Sequence, residues 1–168
     1  MDKLILITGG ARSGKSAHAE ALVSDMAGDP VYIATAEPGD AEMRERIALH
    51  RARRGEHWRL VEVPIDLAGA LQRVDSAGPI LVDCLTLWLS NLMLAGRDPE
   101  AETEKLIRAL AKRGGPVVLV TNEVGLGIVP DNALARAYRD AAGRMNHQIA
   151  DLADEIYFVV AGQPMKVK

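Results

Sequence analysis

The segment Gly9-Gly10-Ala11-Arg12-Ser13-Gly14-Lys15-Ser16 decides the fold of this 168-residue chain. It fits the pattern G-x-x-x-x-G-K-[ST], in which glycines let the backbone curl so that successive N–H groups point at phosphate oxygens. An apolar run at residues 4–7 precedes it and predicts a strand, and a helical pattern at residues 17–23 follows it. A strand, a glycine-rich turn and a helix in this order predict a phosphate-binding loop.

Two side chains of this loop carry specific chemistry. Lys15 supplies positive charge near the outer phosphates of a nucleotide, and Ser16 is placed to hold Mg²⁺. The positive end of the helix dipole adds to the attraction for phosphate. The alternative is a glycine-rich turn that only caps a helix, and the combination of strand, helix and lysine favours the nucleotide site over it.

Short apolar runs rich in branched residues alternate with amphipathic segments along the chain. The runs predict buried strands at residues 4–7, 31–34, 79–82, 117–120 and 156–160, with a further candidate at residues 58–63. The amphipathic segments predict helices at residues 16–26, 41–54, 67–74, 85–95, 100–113 and 133–153. Because parallel strands need crossover connections and helices supply them, we expect an α/β fold with a mostly parallel sheet and helices on both faces.

The composition narrows the class of protein. With 48% apolar residues, the chain has enough hydrophobic material for one domain over residues 1–168. A formal charge of −3 gives no general attraction to nucleic acid or to an anionic membrane. No apolar run is long enough for a signal peptide or a membrane span. The single cysteine, Cys84, cannot form an internal disulfide and is read as a reduced core residue, so we expect a cytoplasmic protein.

A carboxylate follows one of the predicted buried strands. The run Ile80-Leu81-Val82-Asp83 places Asp83 at the carboxyl end of that strand, the edge at which ligands gather in open α/β sheets. We therefore expect Asp83 to bind the Mg²⁺ shell beside the phosphate loop, together with Ser16. The alternative is a strand-end aspartate that only caps a turn or a helix.

Two large classes of phosphate-loop and kinase proteins are disfavoured by missing motifs. The chain has no Asn-Lys-x-Asp segment of the kind with which signalling GTPases read guanine, and Thr121-Asn122-Glu123-Val124 matches it only superficially. The glycine loop, His-Arg-Asp and Asp-Phe-Gly motifs of protein kinases are also missing. A small-molecule kinase, a nucleotidyltransferase and an ATPase module remain.

The second unusual feature is a histidine among arginines. On the predicted helix, Glu42, Arg46, His50 and Arg54 follow one another at intervals of four and share one face. A neutral imidazole flanked by guanidinium groups is suited to attack phosphorus, since arginines pair with phosphate oxygens while the nitrogen acts as nucleophile. The alternative is a solvated charged face with an incidental histidine. The other histidines lack such neighbours and are expected at the surface or in packing: His18, His57 and His147.

Several further stretches, spread over nearly the whole chain, carry a resemblance to a known family. They are residues 32–36, 40–43, 46–47, 50–51, 54, 57–58, 83–86, 121–130 and 143–146. On these stretches and the phosphate loop, the chain resembles the bifunctional adenosylcobinamide kinases and adenosylcobinamide-phosphate guanylyltransferases of the cobalamin nucleotide-loop pathway. The His50 segment and the run 121–130 are far more specific to this family than the phosphate loop.

The resemblance implies two linked reactions. The first phosphorylates the aminopropanol hydroxyl of adenosylcobinamide with ATP or GTP, and Mg²⁺ is the expected cofactor. The second transfers GMP from GTP to adenosylcobinamide phosphate, which gives adenosylcobinamide-GDP and pyrophosphate. In this family the second reaction passes through a guanylylated histidine, and His50 occupies the matching position.

The resemblance also implies a nucleotide site, an architecture and an assembly. The implied nucleotide-binding residues are Gly9, Gly10, Ala11, Arg12, Ser13, Gly14, Lys15, Ser16, Ile33, Ala34, Thr35, Arg51, Ala52, Arg53, Arg54, Glu62 and Asp83. The implied fold is a P-loop NTPase domain of the RecA-like kind. The implied assembly is a homotrimer with sites near the subunit interfaces.

Two competing functions are kept open. A kinase for another small metabolite would retain Lys15, Ser16 and Asp83 but would give His50 no covalent role. A nucleotide-regulated binding module, or a subunit of an ATP-driven assembly, is the alternative from a different class. The chain lacks an obvious sensor-arginine motif and an extra domain, which weighs against the second alternative.

Overall fold

The computed structural model describes residues 3–36, 57–74 and 78–168. The described strands are β1 (Leu4–Gly9), β2 (Val31–Ala34), β3 (Arg59–Glu62), β4 (Ile80–Asp83), β5 (Val117–Val120), β6 (Glu155–Val160) and β7 (Gln163–Lys166). The described helices are α1 (Lys15–Ser24), α2 (Leu67–Arg73), α3 (Leu85–Leu94), α4 (Pro99–Lys112) and α5 (Ala133–Leu152). Every predicted strand is confirmed, and so is every predicted helix except the one at residues 41–54, which lies outside the described residues.

The described strands form one sheet in the order β3-β2-β4-β5-β1-β6-β7. The first six are parallel, and β7 pairs antiparallel with β6. The strand β1 lies between β5 and β6, with Leu4 opposite Val117 of β5 and Ile5 opposite Glu155 of β6. The predicted mostly parallel sheet is therefore confirmed, and the carboxyl ends of β1, β4 and β5 meet at one edge.

Helices cover both faces of the sheet because side chains alternate along each strand. On one face, Leu6 and its counterparts on β2, β4 and β5 pack against α2, α3, α4 and α5, with Trp88 and Ile149 fully buried. On the other face, Ile5 and Ile7 pack with Ala19 and Val23 of α1. The core therefore lies in two layers, one on each side of the sheet.

Three of the helices begin with a side-chain cap. Asp66 accepts a hydrogen bond from the Gly69 amide, Asp98 from the Glu100 amide and Asn132 from the Ala135 amide. Such caps satisfy amide groups that have no partner within the helix. Among the described residues, no side chain caps α1, which begins after Gly14.

The hairpin of β6 and β7 was not predicted from the sequence. Ala161 and Gly162 connect the two strands with φ angles of 50° and 79°, the pair of positive values found in tight two-residue hairpin turns. Glu155 of β6 is paired with Lys166 of β7 at 2.6 Å and with Lys3 at 2.8 Å. Hydrogen bonds from these lysines lower the pKa of Glu155 to about 2, so the carboxylate stays charged in the hairpin.

None of the described helices has the length and apolar character needed to cross a membrane.

Candidate nucleotide site

The phosphate loop lies between β1 and α1, as the sequence predicts. Gly14 stands at the turn into the helix with φ 99°, a left-handed conformation that favours glycine. Its α-carbon also faces Gly162, whose α-carbon would lie 3.2 Å from a side chain added at Gly14. The backbone at this position therefore requires glycine for both its angle and its close packing.

The side chain of Lys15 lies inside the loop rather than in solvent. Lys15 is 7% exposed. Its ammonium group donates to the carbonyl oxygen of Gly10 and lies 3.5 Å from the hydroxyl of Ser13. The phosphate loop thus holds the positive charge on its inner side, the position at which such loops bind polyphosphate oxygens.

A cavity of about 360 Å³ opens beside the loop. Its lining comes from the ends of three neighbouring strands and consists of residues 11–17, Asp83, Cys84, Val120 and Asn122. Ligand pockets in proteins typically begin at about 300 Å³, so this cavity has room for a polyphosphate chain. It brings together Lys15, Ser16 and Asp83, the residues for which the sequence predicts phosphate and Mg²⁺ binding at the loop.

Asp83 is held in place by a tyrosine from the adjacent strand. The hydroxyl of Tyr32 on β2 donates to Oδ2 of Asp83 over 3.0 Å. Tyr32 is itself buried, and its ring meets Trp58 edge-on at a centroid distance of 6.2 Å. The carboxylate is therefore oriented by a hydrogen bond from a rigid partner.

The backbone after Asp83 is fixed by a fully buried threonine. The hydroxyl of Thr35 accepts from the Cys84 amide at 2.8 Å and donates to the Cys84 carbonyl at 2.7 Å. The Asp83–Cys84 peptide bond is cis. The side-chain amide of Asn91 in turn donates to the carbonyl of Thr35 at 2.8 Å. Thr35 therefore fixes the backbone at the end of β4, where Asp83 and Cys84 line the cavity.

Cys84 lines the cavity but does not have the environment of a reactive thiol. Burial, with a smaller contribution from the charge of Asp83, raises the pKa of Cys84 to about 11. Because the thiolate is the reactive form, this cysteine is a neutral part of the cavity wall at ordinary pH. The interpretation of Cys84 as a reduced core residue agrees with this environment.

The end of β5 is tied to two helices by hydrogen bonds. The amide of Asn122 donates to the hydroxyl of Thr86 on α3 over 2.8 Å. Thr121 donates to Oδ1 of Asn146 on α5 over 2.8 Å, and Tyr138 of α5 donates to the Thr86 carbonyl over 3.0 Å. Asn122 lines the cavity, so these contacts hold one wall of the cavity against α3 and α5.

The β6–β7 hairpin supports the phosphate loop, a role that the sequence analysis missed. The amide of Gly162 donates to the carbonyl of Ser13 over 2.8 Å. The available signal was Gly162 shortly after the apolar run 156–160, because glycine readily adopts the positive φ angle of a two-residue hairpin turn. The hairpin therefore contacts one side of the phosphate loop, and Asp83 lies on the other side, across the cavity.

The remaining residues of the implied nucleotide site occupy different places. Ile33 is fully buried in the core of β2, and Ala34 follows it at the end of the same strand. Glu62 ends the edge strand β3 and lines a separate surface pocket of about 440 Å³. Five implied residues lie outside the described part of the chain: His50, Arg51, Ala52, Arg53 and Arg54.

In its fold, the chain is similar to several solved structures. One is a prototypical ATPase from the type III secretion system of pathogenic bacteria, with a TM-score of 0.59 at 12% identity. The superposition covers 98% of this chain and 56% of that chain. Another is the flagellar accessory protein FlaH from Methanocaldococcus jannaschii, with a TM-score of 0.53 at 12% identity, covering 99% of this chain and 78% of that one. These likenesses concern the fold alone, and they confirm the predicted RecA-like P-loop architecture.

Sequence comparison is more specific. The chain is 50% identical over 167 residues to the bifunctional adenosylcobalamin biosynthesis protein CobP of Pseudomonas aeruginosa, covering 97% of this chain and 96% of that protein. It is 44% identical over 181 residues to the bifunctional adenosylcobalamin biosynthesis protein CobU of Escherichia coli, covering 98% and 99% of the two proteins. The family model described as cobinamide kinase / cobinamide phosphate guanyltransferase matches residues 5–167. The chain therefore belongs to the CobU family of cobinamide kinases and cobinamide phosphate guanyltransferases.

Proposed function

We propose that this protein phosphorylates adenosylcobinamide and then transfers GMP from GTP to the phosphate it has made. One observation carries the proposal: in a chain of this family, Lys15, Ser16 and Asp83 surround a single cavity of about 360 Å³ at the phosphate loop. A cavity that grips polyphosphate serves both reactions, since one breaks the bond to the γ-phosphorus and the other the bond to the α-phosphorus.

In the kinase reaction, the residues of the loop position and neutralise the triphosphate. The cobinamide hydroxyl attacks the γ-phosphorus, the bond from that phosphorus to the bridging oxygen breaks, and the nucleoside diphosphate leaves. The hydroxyl proton passes to solvent or to a phosphate oxygen. Lys15 and the first-turn amide groups of α1 stabilise the charge that gathers on the phosphate oxygens.

The donor set at the cavity fits Mg²⁺. Ser16 offers a hydroxyl oxygen and Asp83 a carboxylate oxygen, and Mg²⁺ is usually held by one or two such protein groups together with phosphates and water. When bound, Mg²⁺ would neutralise charge on the phosphate oxygens. Tyr32 would orient Asp83 toward the ion through its hydrogen bond to Oδ2.

In the guanylyl reaction, we assign the nucleophile to His50, which lies outside the described residues. An imidazole nitrogen bonds to the α-phosphorus of GTP while the bond to the β-phosphate breaks and pyrophosphate leaves. An oxygen of cobinamide phosphate then displaces the histidine. The sequence neighbours Arg46, Arg51 and Arg54 would pair with the phosphorus oxygens during both displacements. We propose that Ala52, Arg53, Ile33, Ala34, Thr35 and Glu62 belong to the surroundings of the same nucleotide.

We further propose that the protein works as a homotrimer in the cytoplasm. The trimer rests on the family resemblance alone. The cytoplasmic location rests on Cys84, the only cysteine of the sequence, which cannot form an internal disulfide. Light scattering of the purified protein measures the molar mass directly, and a particle of three chains is the expected result.

Labelled GTP tests the covalent step. With GTP labelled at the α-phosphate and no corrinoid, the wild-type protein should take up label in an acid-labile linkage, whereas γ-labelled GTP should leave no guanylyl mark. His50→Asn should abolish the labelling, while His147→Asn should retain it because His147 is exposed on α5. Addition of adenosylcobinamide phosphate should discharge the label from the wild-type protein. A label that persists in His50→Asn, or that maps to another histidine, would remove His50 from the mechanism.

A further inference from the structure

A mostly apolar groove lies between α3 and α5, apart from the nucleotide cavity. It has a volume of about 280 Å³. Met93 and Tyr138 form part of its floor and pack on the core beneath. Leu94 and Leu134 stand at its sides and are 79% and 61% exposed. Such exposure of large apolar side chains on both sides of one groove is typical of a binding surface.

The groove opens at the same edge of the sheet as the nucleotide site, the edge formed by the carboxyl ends of the parallel strands. Thr121, just beyond the carboxyl end of β5, bonds to Asn146 of α5. The helix runs antiparallel to the strands, so its residues before Asn146 extend past that edge, by about 20 Å at 1.5 Å per residue. The helix α3 lies along the same edge, because Asn91 donates to the carbonyls of Thr35 and Pro64, which follow β2 and β3.

A short path of hydrogen bonds joins the groove to the nucleotide cavity. Asn122 lines the cavity and bonds to the hydroxyl of Thr86 at 2.8 Å. Tyr138 lines the groove and bonds to the carbonyl of the same threonine at 3.0 Å. The groove and the cavity therefore lie on opposite sides of Thr86, each one hydrogen-bonded residue away from it.

The loop that leads from the cavity to α5 adds apolar surface. The amide of Glu123 donates to the carbonyl of Gly9 at 3.1 Å, and Arg136 of α5 donates to the carbonyl of Pro130 at 2.9 Å. These bonds hold the loop at both ends. Between them, Leu126 and Ile128 are 81% and 97% exposed.

We propose that the groove between α3 and α5 binds the corrinoid ring of cobinamide, which presents it to the phosphate loop; this inference rests on the proposed function. A corrinoid has broad apolar faces, and its edge carries amide groups. The apolar sides at Leu94 and Leu134 suit the faces, while Ser90 and Asn132 in the lining offer a hydroxyl and an amide to the edge. The aminopropanol arm then reaches past Thr86 into the cavity, where its hydroxyl meets the γ-phosphate.

The test uses the full-length protein and cobinamide itself. Binding is measured by equilibrium dialysis, with the visible absorbance of the corrinoid as the signal. The double variant Leu94→Gln with Leu134→Gln should raise the Kd for cobinamide by about tenfold or more, since two apolar contacts are lost and no charge is added. A second double variant, Leu94→Gln with Leu134→Met, should regain most of the affinity for cobinamide, because methionine keeps the apolar contact. Labelling by α-labelled GTP and the molar mass of the particle should be unchanged.

A matched control separates the groove from apolar surface in general. Val167 is 66% exposed near the carboxyl terminus, so Val167→Gln should bind cobinamide like the wild type. An unchanged Kd in the double variant, or an equal loss in Val167→Gln, would overturn the proposal. A changed molar mass would assign the groove to a second copy of the chain and would overturn it as well. If the wild-type protein takes up GTP label but binds no cobinamide, the proposed substrate is wrong.

Discussion

The hydroxyl of Tyr32 and the carboxylate of Asp83 are joined by a 3.0 Å hydrogen bond between adjacent strands of the sheet. Tyr32 is buried and packs edge-on against Trp58, so it has little freedom to move away. The bond directs the proton of the hydroxyl to Oδ2 and orients the carboxylate toward the cavity that it shares with Ser16. Such outer contacts commonly set the affinity of a metal ligand.

Tyr32→Phe should therefore weaken the use of Mg²⁺ while the fold is kept. We expect the Mg²⁺ concentration for half-maximal kinase activity to rise about tenfold, with a smaller effect at saturating Mg²⁺. The readout is a Mg²⁺ titration of both kinase and GTP-labelling activity. Tyr157→Phe is the matched control, because its hydroxyl also bonds to a carboxylate at 3.0 Å, that of Glu155 away from the cavity. Equal Mg²⁺ requirements in the two variants would contradict a positioning role for Tyr32.

Asp83→Asn should have a larger effect of the same kind. The amide keeps the size of the side chain but loses the charge that Mg²⁺ prefers in a ligand. We expect kcat to fall by about a hundredfold and the Mg²⁺ requirement to rise, while circular dichroism and thermal unfolding change little. Asp151→Asn, an exchange on the exposed face of α5, serves as control. An unaltered Mg²⁺ titration would return Asp83 to the role of a structural strand-end residue.

The hairpin contact predicts a coupling between the carboxyl terminus and nucleotide binding. Gly162 has φ 79° and open space at the position of a side chain, so Gly162→Ala should cost about 1 kcal/mol of stability through backbone strain alone. Because the Gly162 amide holds the Ser13 carbonyl, the variant should also raise the KM for the nucleotide, by about fivefold. Gly96→Ala is matched, with φ 66° and open space beyond the end of α3. The two variants should be equally destabilised, but only Gly162→Ala should raise the KM for the nucleotide. An equal rise in KM in both variants would contradict a specific effect of the hairpin on the phosphate loop.

His18 predicts a pH dependence of stability. Burial lowers the pKa of His18, whose ring meets Tyr157 edge-on at 5.2 Å. Below the ordinary histidine pKa of about 6.5, the unfolded chain then binds more protons than the native state, so stability falls as the pH falls. Between about pH 7.5 and 5.5, urea unfolding should show a larger loss of free energy for the wild type than for His18→Gln. His147→Gln, on an exposed face, should follow the wild type, and identical slopes in all three proteins would contradict the prediction.

Much of the fold could be predicted from the sequence because its signals are local. The runs at residues 31–34 and 117–120 are apolar on both faces, as strands in the middle of a parallel sheet must be, and the structure has strands at these positions. The strand β7 was missed because its residues, Gln163–Lys166, are exposed and show no apolar alternation. Its pairing with β6 depends on the two-residue turn and on the Glu155–Lys166 ion pair, neither of which has a periodic signature.

The site residues could be predicted where a local sequence motif determines their position. The spacing of Lys15 and Ser16 after the glycines, and the strand before Asp83, place these residues at one edge, and the structure brings them to one cavity. Contacts between distant segments could not be read in this way. The Tyr32–Asp83 bond depends on which strands become neighbours, and the bond from Gly162 to Ser13 depends on a hairpin about 150 residues further along the chain.

The most direct test of the account follows the products of one purified protein given cobinamide, ATP, GTP and Mg²⁺. Chromatography of the corrinoids should show cobinamide phosphate first and GDP-cobinamide later in the wild type. Lys15→Ala should lower both products by about a hundredfold or more, because both reactions need the charge held at the phosphate loop. His50→Asn should accumulate cobinamide phosphate and form no GDP-cobinamide. Near-normal formation of both products by Lys15→Ala would contradict the central claim that one phosphate-loop cavity serves both reactions.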